Sequence, residues 1–201
     1  PVQSDSMRLG VDVMGGDNAP APILEGALAA VSTFDPDDRL VLFGDEQIIH
    51  AGIKDSGADA RLIEVVPTHD EVAMDESPVE AARSKPNSAL VQMARLAGPK
   101  AAERRIDMAI SAGNTGAFVA AAQMHMRRLP GVARPGIAAV VPTFAGPVTF
   151  IDVGANIDPK PHHLHQNLSP QKNCLLLPLK DLLLDPRLLC ALCLLTQLSV
   201  E

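Results

Sequence analysis

Apolar residues along the first 158 positions follow two alternating patterns. Short runs rich in Val, Leu and Ile predict strands, and they cover residues 7–14, 39–45, 60–68, 106–111, 136–143 and 148–156. The stretches between them carry apolar residues at helical spacing, which predicts helices over residues 23–34, 46–57, 77–99 and 115–129. Strands that alternate with helices in this way predict an α/β domain with a mostly parallel sheet covered on both faces.

The third helical stretch carries its own start and stop signals. Ser77, Pro78 and Glu80 suit the N-cap, the first and the third helical positions. Pro86 cannot continue a helix, so we predict a break there and a second start at Asn87 or Ser88.

Composition changes near residue 164. All fourteen glycines lie at or before Gly154, whereas residues 164–201 hold fifteen leucines in thirty-eight positions. The uncharged stretch after Arg187 is shorter than the roughly twenty residues that cross a bilayer. We therefore predict a flexible extension at residues 1–6, an α/β domain at 7–163, and a Leu-rich tail at 164–201 that is frameshifted or disordered.

Charge is unevenly distributed along the chain. The formal net charge is −7, yet residues 83–134 carry nine basic and two acidic side chains. This basic middle predicts a positive patch for an anionic partner, although a solvated helical face is equally compatible with it. The negative total and the absence of Trp and Tyr disfavour nucleic-acid binding.

Cysteines and histidines give little support for a disulfide, redox or metal site. The three cysteines fit a reducing cytosol rather than a disulfide scaffold. His162, His163 and His165 have no patterned carboxylate beside them. We expect a cytoplasmic protein without a secretory signal, metal or cofactor.

Glycine-bearing corners follow three of the predicted strands, at residues 14–20, 111–117 and 152–156. The carboxyl ends of parallel strands meet at one sheet edge, where ligands bind. Glycine lets the backbone approach a ligand, and the free N–H groups of the next helix attract an anion. Simple turn geometry is the alternative at any single corner. Their polar residues are Asp17, Asn18, Ser111, Asn114, Thr115, Asp152 and Asn156. No Walker A or GxGxxG motif is present, so the three corners together predict a small-anion site that acts by positioning and electrostatics.

Five long motifs resemble the bacterial phosphate acyltransferases of the PlsX type. They are RLGVDVMGGDNAP, EVAMDESPVEAARSKPNSALVQMARL, AISAGNTGAFVAAA, RPGIAAVVPT and IDVGANIDPKPHHL, in the family's order and spacing. The resemblance covers residues 7–164. It implies a three-layer αβα fold similar to isocitrate and isopropylmalate dehydrogenases. It also implies transfer of a fatty acyl group from acyl carrier protein to inorganic phosphate, for phospholipid synthesis. A cytoplasmic homodimer with peripheral membrane association is further implied.

The resemblance assigns candidate site residues. The catalytic candidates are Asp17, Asn114 and Lys85, the last as the positive charge for phosphate or else as a plain surface lysine. Candidates for binding phosphate or the acyl substrate are Gly15, Gly16, Asn18, Ser111, Gly113, Thr115, Gly116, Asp152, Gly154 and Asn156. Asn18 stands where the family often has histidine. From charge alone, we predict carrier-protein docking at Arg104, Arg105, Arg127 and Arg128.

The sequence after Leu164 does not match the family, whose members continue for about another domain. We therefore expect a truncated or frameshifted chain that is inactive alone. The alternatives are an enzyme similar to phosphate acetyltransferases that uses a coenzyme A thioester, an NAD-dependent dehydrogenase of the related fold, and a non-catalytic fragment.

Overall fold

A computed structural model describes residues 6–126, 138–144, 146–151, 158 and 160–162. The chain divides into two units between Met126 and Arg127. The first unit contains the strands β1 (Arg8–Asp12), β2 (Arg39–Gly44), β3 (Ile63–Pro67) and β4 (Met108–Ile110). Its helices are α1 (Ala21–Ala30), α2 (Glu46–Ser56), α3 (Pro78–Ser84), α4 (Ala89–Ala97) and α5 (Thr115–His125). The second unit contains the strands β5 (Ala138–Thr143) and β6 (Gly146–Ile151).

The four strands of the first unit form one parallel sheet in the order β3-β2-β1-β4. The predicted parallel α/β class is therefore confirmed for this unit, while the likeness to isocitrate and isopropylmalate dehydrogenases stays a prediction. The chain runs outward from β1 to β3 and then returns to place β4 on the other side of β1. This reversal creates a topological switch point between β1 and β4, the position where open α/β sheets bind ligands.

Both faces of the sheet are buried, which explains why its strands read as apolar runs. On one face, Val11 and Val13 share a core cluster with Leu24, Leu28 and Ile49 of α1 and α2. Alternate strand residues point to the other face, where the side chain of Phe43 is fully buried. α4 contacts β1, β2 and β4 and packs with α5, so two groups of helices flank the sheet.

Local signals place most helix ends where the sequence predicts them. The Asp45 side chain accepts hydrogen bonds from the N–H groups of Gln47 and Ile48, at 2.8 and 3.1 Å, and caps α2. Gly57 ends α2 in a left-handed conformation with φ of 68°. The break at Pro86 is confirmed, because α3 ends before it and α4 begins after Ser88.

Two expectations about the start of α3 have different outcomes. Pro78 is the first residue of α3 and Ser77 precedes it, as predicted. The Ser77 side chain makes no capping hydrogen bond, however, so the cap is positional only.

The second unit differs from the parallel arrangement that we predicted for the strands. β5 and β6 pair antiparallel, in a register from Ala138 opposite Ile151 to Thr143 opposite Gly146. Only two residues separate the strands, and a connection of that length closes a hairpin but cannot cross over to a parallel neighbour.

Candidate functional site

The β1–α1 and β4–α5 corners lie side by side at the switch point. β1 and β4 pair in parallel, with Val11 opposite Ile110, so both corners leave the same edge of the sheet. A Cβ atom added to Gly16 would lie 3.0 Å from the Cβ of Ala112, and one added to Gly113 would lie 3.4 Å from the Cα of Gly15. The two backbones therefore touch where glycines stand, and the structure brings together Gly15, Gly16, Ser111 and Gly113.

Asp12, at the end of β1, connects the two corners. Asp12 is only 3% exposed to solvent. One carboxylate oxygen, Oδ1, accepts from the N–H of Met14 at 3.1 Å, and the other, Oδ2, accepts from the Ser111 hydroxyl at 2.8 Å. The Ser111 oxygen in turn accepts from the N–H of Gly113 at 3.0 Å. A continuous hydrogen-bonded path therefore runs from one corner to the other.

The environment of Asp12 opposes its ionisation. Burial raises the pKa of Asp12 above its usual value of 3.8, and the negative charge of Glu71 adds to that rise. Hydrogen bonds from Ser111, Met14 and Gly15 stabilise the carboxylate but do not cancel the effect of burial. Asp12 was not among the predicted site residues, although an acidic residue between two valines at the end of a buried strand was a visible signal.

The Asn114 side chain caps α5 with its oxygen and binds the loop before α3 with its nitrogen. It is 6% exposed, and its Oδ1 accepts from the N–H of Ala117 at 2.9 Å. Its amide donates to the carbonyls of Ala73, Met74 and Glu76 at 3.0, 3.3 and 3.3 Å. Both ends of this amide are therefore occupied by the protein, and the predicted contact of Asn114 with substrate stays a prediction.

The first turn of α5 faces solvent beside this cap. Thr115 is exposed and Gly116 is half-buried. Their N–H groups belong to the first turn, where no intrahelical acceptor exists, and they lie at the positive end of the helix dipole. A Cβ atom on Gly116 would lie 2.7 Å from Cγ of Pro78, so glycine there permits the close contact between α3 and α5.

The Lys85 side chain bonds to two residues of the loop that precedes α3. Its ammonium forms an ion pair with Glu76 and donates to the carbonyl of Glu71 at 2.6 Å. The hydrogen bond from Lys85 lowers the pKa of Glu76, and a further bond from the N–H of Ala73 acts in the same direction. The positive charge that we predicted for phosphate is therefore paired within the loop.

A small cavity lies beneath the corners. Its volume is about 20 Å³, room for roughly one water molecule. Its lining includes Gly15 and Gly113 together with three carboxyl side chains, those of Asp12, Asp70 and Glu71. These carboxyl groups disfavour an anion inside the cavity. The solvent side of the corners, near Gly16 and the first turn of α5, is the more favourable place for one.

The remaining predicted residues at this edge fall into two groups. Asp17 and Asn18 are exposed in the turn after Gly16. Asp152, Gly154 and Asn156 lie outside the described residues, as do Arg127 and Arg128.

Two of the described basic residues, Arg8 and Arg104, lie at the opposite edge of the sheet. Arg104 and Arg8 both pair with Glu64, near the amino ends of β1 and β3. Arg95 and Lys100 lie close enough to His125, at the end of α5, to lower its pKa together with burial, which is the larger cause. α5 separates His125 from the corners by about 16 Å at 1.5 Å per residue. Docking at Arg104 and at the exposed Arg105 stays a prediction, and it requires a carrier to reach around the sheet.

Two further expectations concern membranes and metals. Within the part of the chain that the structure describes, no helix has the length and apolar character needed to cross a bilayer. The same residues contain no group of three or more His, Cys, Asp or Glu side chains placed to hold a metal ion.

Comparisons with known proteins agree with the resemblance in the motifs. The chain matches the family described as fatty acid synthesis protein over residues 7–170. A phosphate acyltransferase of Brevibacillus brevis is 44% identical over 162 residues, which are 80% of this chain and 46% of that protein. Phosphate acyltransferases of Bacillus licheniformis and Desulforudis audaxviator are 41% and 43% identical, over 80% and 79% of this chain and 46% and 44% of their own lengths. The chain thus spans about half the length of the curated relatives it matches.

Proposed function

Because the chain belongs to the fatty acid synthesis protein family, we propose that it supplies the phosphate-binding half of a phosphate acyltransferase. The proposed reaction transfers a fatty acyl group from acyl carrier protein to inorganic phosphate, and the acyl phosphate serves phospholipid synthesis. The observation that carries this proposal is the contact between the Gly15–Gly16 corner and the Gly113 corner at the switch point. The names of the relatives supply the reaction class.

Phosphate lies in this proposal on the solvent side of the two corners. The N–H groups of Thr115 and Gly116 donate to its oxygens, with the dipole of α5 behind them. Gly15 and Gly16 have no side chain to block its approach, while Asn114 holds the start of α5 in place through the loop at residues 73–76. Asp17 and Asn18 flank this position from the neighbouring turn.

The proposed chemistry is direct attack on the thioester. A phosphate oxygen bonds to the carbonyl carbon, and the carbon–sulfur bond then breaks, releasing the carrier thiolate. Backbone N–H groups stabilise the negative charge that develops on the carbonyl oxygen. A thiolate is a moderate base and leaves without a strong acid beside it, so no cofactor is required by this scheme.

The partners proposed are acyl carrier protein, inorganic phosphate and a second copy of the chain, with peripheral association at a membrane and a cytoplasmic location. A carrier binding to the basic edge at Arg104 and Arg105 is acidic by charge complementarity. Its acyl group then has to reach the other edge of the sheet, so docking beside the corners is the more economical arrangement for transfer within one chain.

Labelled phosphate tests the reaction directly. The purified 201-residue chain is incubated with labelled phosphate and either a carrier-linked or a coenzyme A-linked fatty acyl donor. Acyl phosphate formed from the carrier-linked donor supports the proposal, whereas product from coenzyme A alone favours an enzyme similar to phosphate acetyltransferases. If folded protein makes no product with either donor, this chain does not catalyse the transfer.

A non-catalytic role is the second candidate, and two observations favour it. The chain spans about half of its relatives, and the Lys85 ammonium that we predicted for phosphate is paired with Glu76. A fragment of this kind binds phosphate without transferring an acyl group to it. Phosphate binding without product therefore distinguishes this role from the enzymatic one.

A further inference from the structure

The carboxylate of Asp12 is buried, whereas phosphate and the thioester lie, in the proposed function, on the solvent side of the corners. Its two oxygens instead receive hydrogen bonds from different corners, Oδ1 from the N–H of Met14 and Oδ2 from the hydroxyl of Ser111. Ser111 passes the second connection on, because its oxygen accepts from the N–H of Gly113. Asp12 therefore orients the Met14 N–H and the Ser111 hydroxyl directly, and it orients the Gly113 N–H through Ser111.

Burying a carboxylate is costly unless hydrogen bonds compensate for the lost water. Asp12 is 3% exposed, at the buried end of β1 beside Val11. A valine or alanine at this position would serve packing alone, as Val11 and Val13 do on the other face. The cost is explained if the carboxylate fixes the relative position of the two corners.

We propose that Asp12 is a positioning residue that ties the β1–α1 corner to the β4–α5 corner through Ser111, so that the N–H groups of both corners converge on one oxyanion. The functional meaning of this tie rests on the proposed phosphate site, but the tie itself is a property of the fold. Loss of the negative charge on Asp12 weakens both connections at once. The alignment of the corners therefore depends on the ionisation of this one group.

The charged groups that face Asp12 are few. Glu71 repels it, and Asp70 lines the same cavity, both from the loop after β3. Asp70 accepts a hydrogen bond from the N–H of Asn87, and the backbone carbonyl of Glu71 accepts one from Lys85. Replacing Glu71 by Gln shifts the titration of Asp12 without breaking its path to Gly113.

Amide NMR spectra of the full chain test the tie between about pH 3.5 and pH 7. The N–H signals of Met14 and Gly113 are expected to titrate with one midpoint, that of Asp12. Ser111→Ala is expected to reduce the titration shift of Gly113 and to leave that of Met14, whereas Asp12→Asn abolishes both. Ser88→Ala is the matched control, because Ser88 lines the same cavity but donates to the carbonyl of Lys85, so both titrations persist in that variant.

The outcomes separate this inference from the proposed function. The inference is overturned if the titration shift of Gly113 is undiminished after Ser111→Ala, or if the two midpoints differ in the unmodified chain. Should Asp12→Asn fail to fold, the Ser111 and Ser88 variants decide the question alone. If phosphate leaves the two signals unchanged while their common titration is intact, the tie stands and the proposed phosphate site fails.

Discussion

Replacing Gly15 by Ala should destabilise the protein and separate the two corners. The added Cβ would lie 2.3 Å from Oδ2 of Asp12 and 2.9 Å from the Ser111 oxygen, both well inside van der Waals contact. Overpacking of this kind costs about 1–3 kcal/mol. If Asp12 moves to relieve the overpacking, it loses the 2.8 Å hydrogen bond from Ser111. Loss of a partner by a buried carboxylate also costs about 1–3 kcal/mol. Since one displacement produces both effects, we expect a total of about 2–3 kcal/mol rather than their full sum.

Urea unfolding measures this change. With a slope of about 2 kcal/mol per molar urea, the midpoint of Gly15→Ala should fall by about 1–1.5 M while the slope stays constant. Gly26→Ala is the matched control, because a Cβ there meets nothing within 4 Å in the middle of α1. That substitution should raise stability by about 0.5–1 kcal/mol through helix propensity. A Gly15→Ala midpoint equal to that of the unmodified chain would refute the close contact of the corners.

Two further substitutions test other parts of the first unit. Asn114→Asp keeps an acceptor for the N–H of Ala117, but it places a carboxylate against three carbonyls that receive an amide in the unmodified chain. Urea unfolding at pH 7 should therefore show a loss of about 1–3 kcal/mol in the free energy of unfolding. An unchanged midpoint would mean that other contacts hold the loop at residues 73–76. Partial burial tends to raise the pKa of Glu64, but hydrogen bonds from Arg8 and Arg104 outweigh it and lower the pKa below its usual 4.5. A lowered carboxylate pKa contributes stability above pH 4.5 that is lost as the pH falls through the folded value. Glu64→Gln should therefore cost roughly 0.5–1 kcal/mol of stability at pH 7 and flatten the decline in stability below about pH 4.5. Thermal unfolding at several pH values measures both effects. An equally steep decline in the variant would show that Glu64 does not cause it.

The hydrophobic pattern was sufficient to predict the parallel sheet and the position of its corners. Strand periodicity, the Pro86 break and the glycines after β1 and β4 are local features, and each acts within a few residues. Parallel pairing then places the carboxyl ends of strands together without any knowledge of side-chain contacts. For this reason, the approach of Gly15 to Gly113 could be expected from sequence.

Side-chain partners could not be predicted in the same way. Lys85 has a charge that suits phosphate, but its ion pair with Glu76 and its bond to the carbonyl of Glu71 depend on how the loop before α3 folds back. Asn114 similarly bonds to carbonyls about forty residues earlier in the chain. Such contacts follow from tertiary packing, and no local pattern encodes them.

The error over β5 and β6 has a simpler cause. We extended the parallel arrangement to strands whose connection is too short to hold a crossover helix. The spacing between Thr143 and Gly146 was visible in the sequence and, given the strand ends, indicates a hairpin.

A phosphate titration followed by amide NMR tests the central claim most directly. We predict that phosphate shifts the N–H signals of Gly16, Gly113, Thr115 and Gly116 together, with a single dissociation constant, and that sulfate competes for the same site. Shifts confined to the basic edge at Arg104 and Arg105, with both corners unaffected, would contradict the account.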